Sequence, residues 1–234
     1  MAKRRRSKKG RRSTKRRRLF SRRRRRYRRG TTKLMRGPVN KRALAKFTYT
    51  DYVTLNGASS ETDHIMVANG MYDPDNTLLL NHQPKGFDQL MEQYNEYTVL
   101  GAKITVLPMV PRANTYTGRL AIVLSGNVSQ PFSGQGFGGL VESSMKKTFY
   151  HLHPNATDRL KALTLKYSTK RFFSVKSSIG MGAYKGNAGA NPSEKAYFHI
   201  LWAGPYGDNP GDIKCMVKIQ YIVMFTEPKP IDQS

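Results

Sequence analysis

Apolar residues occupy every second position from Ile213 to Phe225 in the segment IKCMVKIQYIVMF. Lys214, Lys218 and Gln220 lie between them in the first half of the segment. A period of two over this length indicates a β-strand with one buried face. Pro residues follow at 228 and 230 and lack the N–H that a sheet requires, so the strand is expected to end near Phe225 or Thr226.

Other segments carry similar strand patterns and are rich in β-branched and aromatic residues. Gly, Pro, Asn and Ser cluster between them, as is typical of turns. With 213–225, these segments predict eight strands and an all-β fold, a single antiparallel sandwich or barrel. The further predicted strands are 45–56, 62–69, 97–110, 118–126, 147–153, 162–174 and 195–204.

One segment departs from the strand pattern. In PKGFDQLMEQYNEY, residues 84–97, the apolar side chains of Phe87, Leu90, Met91 and Tyr94 recur at helical spacing. Asp88 would lie in the first turn, where its charge complements the helix dipole. The sequence therefore predicts one short helix over an edge of the sandwich.

Positive charge is concentrated at the N-terminus. Residues 1–42 contain 23 of the 41 Lys and Arg and none of the 15 Asp and Glu, which leaves the rest of the chain nearly neutral. Apolar residues are few in this segment, so we expect it to be disordered until a polyanion neutralises it. The predicted organisation is a disordered arm at 1–42, a folded body at 43–227 and a C-terminal tail at 228–234.

An Arg-rich arm binds nucleic acid by releasing the counterions that surround the phosphates, without reading a sequence. The same basic clusters suit a nuclear import signal that import receptors recognise. Two aromatic residues within the run, Phe20 and Tyr27, are candidates for base stacking, although contact with the chain's own body explains them equally well. The arm residues assigned to nucleic-acid binding and nuclear import are Lys3, Arg4, Arg5, Arg6, Lys8, Lys9, Arg11, Arg12, Lys15, Arg16, Arg17, Arg18, Arg22, Arg23, Arg24, Arg25, Arg26, Arg28 and Arg29.

The sequence predicts no catalytic residue, no metal site and no cofactor. His151 and His153 would lie on one side of a strand, but no third ligand is close in sequence. Cys215 is the single cysteine, so an intramolecular disulfide is excluded. No segment approaches the roughly 20 apolar residues of a membrane span, and the basic N-terminus precedes no apolar signal region, so synthesis in the cell interior without membrane insertion is expected.

A second basic cluster lies in the body. It is a candidate site for sulfated glycans if its side chains face outward, and for nucleic acid if they face inward. A solvated strand face is the alternative. Its members are Lys146, Lys147, Lys161, Lys166, Lys170 and Arg171.

The sequence resembles the capsid proteins of circoviruses, which have circular single-stranded DNA genomes. PKGFDQLMEQYNEYTVLGAKITVLP, residues 84–108, is similar to their segment in which a short helix leads into a strand. KIQYIVMFTEP, residues 218–228, resembles their closing strand. An Arg-rich arm, a Pro/Gly hinge and an eight-stranded body complete the likeness.

This resemblance implies a jelly roll of two four-stranded sheets. It further implies that about 60 copies build an icosahedral virion, with the arm holding the single-stranded DNA genome and directing import into the host nucleus. Two alternatives share the basic arm. They are a chromatin-like or ribosomal nucleic-acid-binding protein and the coat protein of a small single-stranded RNA satellite virus.

Overall fold

Segments with alternating side chains form eight strands in the computed structural model. The model describes residues 39–58, 60–77, 82–109, 117–129, 136–143, 145–152, 161–204 and 208–230. The strands are β1 Arg42–Leu55, β2 Glu61–Val67, β3 Tyr94–Met109, β4 Gly118–Ser125, β5 Lys147–Leu152, β6 Leu163–Ser168, β7 Tyr197–Ala203 and β8 Ile213–Pro228.

The strands form two four-stranded antiparallel sheets. The first sheet has the order β1-β8-β3-β6, and the second has the order β2-β7-β4-β5. Successive strands mostly alternate between the sheets, so the chain winds around the sandwich as in a jelly roll. The predicted fold class, a single eight-stranded antiparallel jelly-roll sandwich, is confirmed. The predicted disordered arm at 1–42 lies outside the described residues except for its last four positions.

The inward faces of both sheets form one hydrophobic core. The long strand β8 contributes every second side chain from Ile213 to Phe225, and each of these is buried. The second sheet contributes Phe198, Ile200 and Trp202 of β7. Burial of these side chains supplies the main stabilisation, about 1.5–3 kcal/mol for each large one.

Helices are short and few among the described residues. The predicted helix is present as α1, Phe87–Met91, but it ends before Tyr94, which begins β3. Two further helices were not predicted, α2 at Gly136–Glu142 and α3 at Thr169–Phe172, and a 3₁₀ turn covers Gly182–Tyr184. The prediction of a single helix was therefore wrong, and α3 occupies the end of a segment predicted as strand.

Strand β8 continues past its predicted end, to Pro228. The last residue of β8 paired with β1 is Thr226, whereas Pro228 is paired with Tyr94 of β3. The backbone N–H of Lys229 donates to the Gln93 carbonyl. Since neighbouring N–H groups alternate in direction, the N–H that Pro228 lacks would point beyond the end of β1, where no ladder bond is lost.

The outer faces of the two sheets differ. Helix α2 covers part of the second sheet, where Phe137 and Leu140 pack on Ala121, Val123 and Leu201. The outer face of the first sheet retains exposed apolar side chains, among them Leu44, Tyr52, Met109 and Ile222.

Candidate anion-binding groove

Three members of the second basic cluster meet where the edges of the two sheets come together. Lys146 precedes β5, Lys166 lies on β6, and Arg171 lies on α3. They line an open groove of ≈ 720 Å³. Leu124, Met145 and Phe172 give the groove an apolar lining, and none of the described residues that line it carries a carboxylate.

The three cations of the groove repel one another. Partial burial, followed by the charges of Arg171 and Lys166, lowers the pKa of the Lys146 ammonium. That ammonium donates a hydrogen bond to the backbone carbonyl of Lys166, which fixes its position on the groove wall. A bound anion would relieve this repulsion, and the planar guanidinium of Arg171 suits a phosphate or sulfate group.

The other three members of the cluster have different positions. The ammonium of Lys147 donates to the carbonyls of Leu140 (2.6 Å) and Val141 (2.8 Å) at the end of α2, and to Ser143. It therefore satisfies a helix C-terminus and is directed away from the groove. Lys161 and Lys170 are exposed and do not line the groove.

The apolar part of the groove was not foreseen from the sequence. Phe172 was assigned to a predicted strand, whereas it ends the four-residue helix α3 beside Arg171. Adjacent residues of a strand point to opposite faces, so the Phe172–Phe173 pair is compatible with a strand and gave no local signal against one.

The structure gives the position of some other sequence-predicted residues, and the rest lie outside the part of the chain that it describes. His151 lies beside Phe149, with ring centroids 5.9 Å apart. Among the described residues, no group of three or more His, Cys, Asp or Glu could hold a metal ion. The arm residues from Lys3 to Arg29, with Phe20 and Tyr27, and also His153, lie outside the described residues.

Two His–Asp pairs, one buried and one partly buried, were missed by sequence reasoning. Nε2 of His64 lies 2.9 Å from the Asp75 carboxylate, and Nδ1 of His199 lies 2.7 Å from the Asp63 carboxylate. The partners are separated by 11 and 136 positions along the chain, so no local motif joins them. Asp75 also accepts from the Thr77 N–H, which is ordinary turn chemistry.

No helix in the described part of the chain is both long enough and apolar enough to cross a bilayer.

Comparison with known proteins finds similarity at the level of structure only. No protein-family model matches the chain, and no curated protein matches it. Several solved structures that it is similar to come from viruses. A chain of Desmodium yellow mottle tymovirus is 12% identical, with a TM-score of 0.43, over 86% of this chain and 97% of that one.

Two further structures have similar values. The cryo-EM structure of mud crab tombus-like virus gives a TM-score of 0.46 and 12% identity over 84% of this chain and 95% of its own. A 60-mer BFDV capsid protein gives a TM-score of 0.43 and 12% identity over 83% of this chain and 98% of its own. The assignment of the jelly roll rests on the strand order of this chain and not on these similarities.

Proposed function

We propose that this protein is the coat protein of a small icosahedral virus and packages single-stranded nucleic acid. The observation that carries the proposal is the combination of a nearly neutral jelly roll with a segment of 23 positive charges in residues 1–42. Jelly rolls also occur in lectins and cupins, but those functions do not require such a polycation. A shell protein requires both parts, a wall that packs against copies of itself and a group that neutralises the enclosed phosphates.

The arm supplies the charge that packaging needs. Each Arg or Lys that meets a phosphate releases condensed counterions, so binding is strong, salt-sensitive and independent of sequence. Sixty arms would carry on the order of 1,400 positive charges, which corresponds to a genome of on the order of a thousand nucleotides or more. A shell of about 60 copies is therefore consistent in charge with a small viral genome.

The finer features of the proposal come from the resemblance to circovirus capsid proteins. They are a single-stranded DNA genome, a shell of 60 copies, and import of the newly made protein into the host nucleus through the basic arm. Since DNA and RNA present the same phosphates to an arm that reads no bases, the type of genome has to be measured directly.

Electron microscopy of the purified full-length protein tests the shell. We expect uniform closed particles that protect nucleic acid from added nuclease. Digestion of the extracted nucleic acid by DNase but not by RNase would support the DNA genome. A protein that coats nucleic acid as monomers, with no closed particles over a range of salt and pH, would contradict the proposal.

Two variants of the arm separate its charge from its sequence. Replacing the Arg and Lys of residues 3–29 with Gln should leave the protein without packaged nucleic acid. A control with the same residues in shuffled order should package normally, because counterion release depends on charge and not on order. A fusion of residues 1–42 to a fluorescent protein should enter the nucleus, and its Gln-substituted form should not.

A further inference from the structure

The outer face of the first sheet carries lysines that directly face one another. Lys103 of β3 is paired with Lys166 of the edge strand β6. On its other side Lys103 is paired with Gln220 of β8, so that Lys218, two residues along β8, lies diagonally from it. Side chains opposite each other in an antiparallel pair are about 5 Å apart at Cβ, and diagonal ones about 7–8 Å.

No carboxylate among the described residues compensates these three lysines. Asp51 of β1 lies on the same, inner face of the sheet as Tyr49, and the Tyr49 hydroxyl donates a hydrogen bond to its carboxylate. The carboxylates of Glu96 and Glu227 lie toward the other end of the sheet, and both pair with Lys185. Like charges directly opposite in a sheet are destabilising, so the isolated fold gains nothing from this arrangement.

The lysines of the sheet continue into the groove. Lys166 belongs to both, because its side chain lies on the outer face of β6 and also lines the groove with Lys146 and Arg171. Lys146, Arg171, Lys166, Lys103 and Lys218 therefore form a continuous positive surface, here called the basic track.

We propose that the basic track is a second nucleic-acid site, separate from the arm, that binds the phosphates of a single strand across the outer face of the first sheet. This proposal rests on the proposed packaging function and extends it to the folded body. In a closed shell, the basic track places the outer face of the first sheet against the enclosed genome.

The composition of the track favours single-stranded nucleic acid over other occupants. The groove combines its cations with the partly exposed ring of Phe172 and with Met145, which an unpaired base can contact through its flat face. A sulfated glycan has no aromatic face that could stack on the Phe172 ring, and in a duplex the base faces are already stacked. Another copy of the same face, or a basic arm, would be repelled.

Protection of individual lysines tests this site in the full-length protein. The lysines would be acetylated with and without a roughly 30-nucleotide oligo-dT, and each would be quantified by mass spectrometry. We expect acetylation of Lys103, Lys166 and Lys218 to slow by about three-fold or more because the phosphates cover them. Lys85, Lys195 and Lys229, which lie off the track, serve as matched controls and should change little.

Three results would overturn the proposal. They are equal protection of the track and control lysines, no protection of either set, and protection of the track by a heparin oligosaccharide but not by oligo-dT. The last result would assign the track to sulfated glycans.

A second measurement uses the salt dependence of oligo-dT binding. Substitution of Lys103, Lys166 and Lys218 by Gln should reduce the slope of log K against log salt by about 2, since each phosphate contact on a single strand contributes about 0.7. The triple variant of Lys85, Lys195 and Lys229 should keep the slope of the wild type. Equal slopes for the two variants would contradict the track.

The proposed function and the track can fail separately. Closed, nuclease-resistant particles of a wild-type protein whose track is never protected would contradict the proposed track and support the proposed shell. Protection of the track in a protein that never forms particles would support the proposed track and contradict the proposed shell.

Discussion

The hydroxyl of Tyr221, at the centre of β8, donates a hydrogen bond to the backbone carbonyl of Val67 at the end of β2, over 2.9 Å. The two residues belong to different sheets, and both are buried. The bond therefore ties the first sheet to the second inside the core, where water cannot replace either partner. Burial raises the pKa of the Tyr221 hydroxyl well above its ordinary value, so it remains a donor over the physiological range.

Substitution of Tyr221 by Phe should lower the free energy of unfolding by about 1–3 kcal/mol, because the Val67 carbonyl loses its donor while the ring remains. Urea unfolding followed by fluorescence measures the change. The exposed Tyr52 provides the control, and Tyr52→Phe should stay within about 0.5 kcal/mol of the wild type. Equal midpoints for both variants would show that the hydroxyl bond does not stabilise the core.

Gly118 leaves the space that the buried ring of Trp202 occupies on the neighbouring strand. A Cβ at position 118 would lie 2.3 Å from Cη2 of that ring, which is closer than two carbon atoms can approach. Gly118→Ala should therefore destabilise the fold by about 1–3 kcal/mol. At Gly138 in α2 an added Cβ meets nothing within 4 Å, so Gly138→Ala should be neutral or stabilising by up to about 1 kcal/mol. Thermal unfolding should show a lower midpoint temperature for Gly118→Ala and an unchanged or higher one for Gly138→Ala.

The strands could be predicted from the sequence because alternation is a local signal. Residues such as Ile219 and Tyr221 identify a buried strand face without knowledge of their neighbours. Helix α2 could not be predicted in this way, since GFGGLVE contains three glycines and has a weak intrinsic helix preference. Its apolar residues Phe137 and Leu140 pack on the second sheet, and such tertiary contacts do not appear in a local pattern.

The candidate site was likewise only partly predictable from the sequence. The sequence identified the cluster of Lys and Arg, but it could not separate Lys146 from the adjacent Lys147. Only the fold directs one into the groove and the other to the end of α2. The pairing of Lys103 with Lys166 depends on strand register across 63 positions, which no short-range pattern encodes.

These two adjacent lysines provide matched variants. Lys147→Gln should lower the free energy of unfolding by about 1.5–3 kcal/mol, because the carbonyls at the end of α2 lose a charged donor. Lys146→Gln should have little effect on stability, and it should weaken oligo-dT binding about five-fold at moderate salt if the groove binds phosphate. Each variant removes one positive charge, so a general charge effect would change binding equally in both and would contradict the prediction.

The buried thiol of Cys215 should be unreactive in the folded protein. Burial raises its pKa to about 12, so almost no thiolate, the reactive form, exists at pH 8. We expect a disulfide reagent to leave the native protein unmodified and to react quickly after the addition of denaturant, where the pKa of the thiol returns to about 8.5. Rapid reaction of the native protein would show that β8 opens readily at this position.

The same pKa shift makes stability depend on alkaline pH. Above about pH 8.5 the unfolded thiol loses its proton, whereas folded Cys215 keeps its proton until about pH 12, so the unfolded state binds fewer protons and stability falls as pH rises. The slope approaches about 1.4 kcal/mol per pH unit. Cys215→Ala should therefore have a shallower decline between about pH 8.5 and 10. Unfolded tyrosines begin to titrate in the same range, but they are the same in both proteins and cancel in the difference. Urea midpoints across this range measure the difference in slope, which is independent of the packing lost in the variant. Parallel pH profiles for the two proteins would mean that the thiol is accessible to water in the native state.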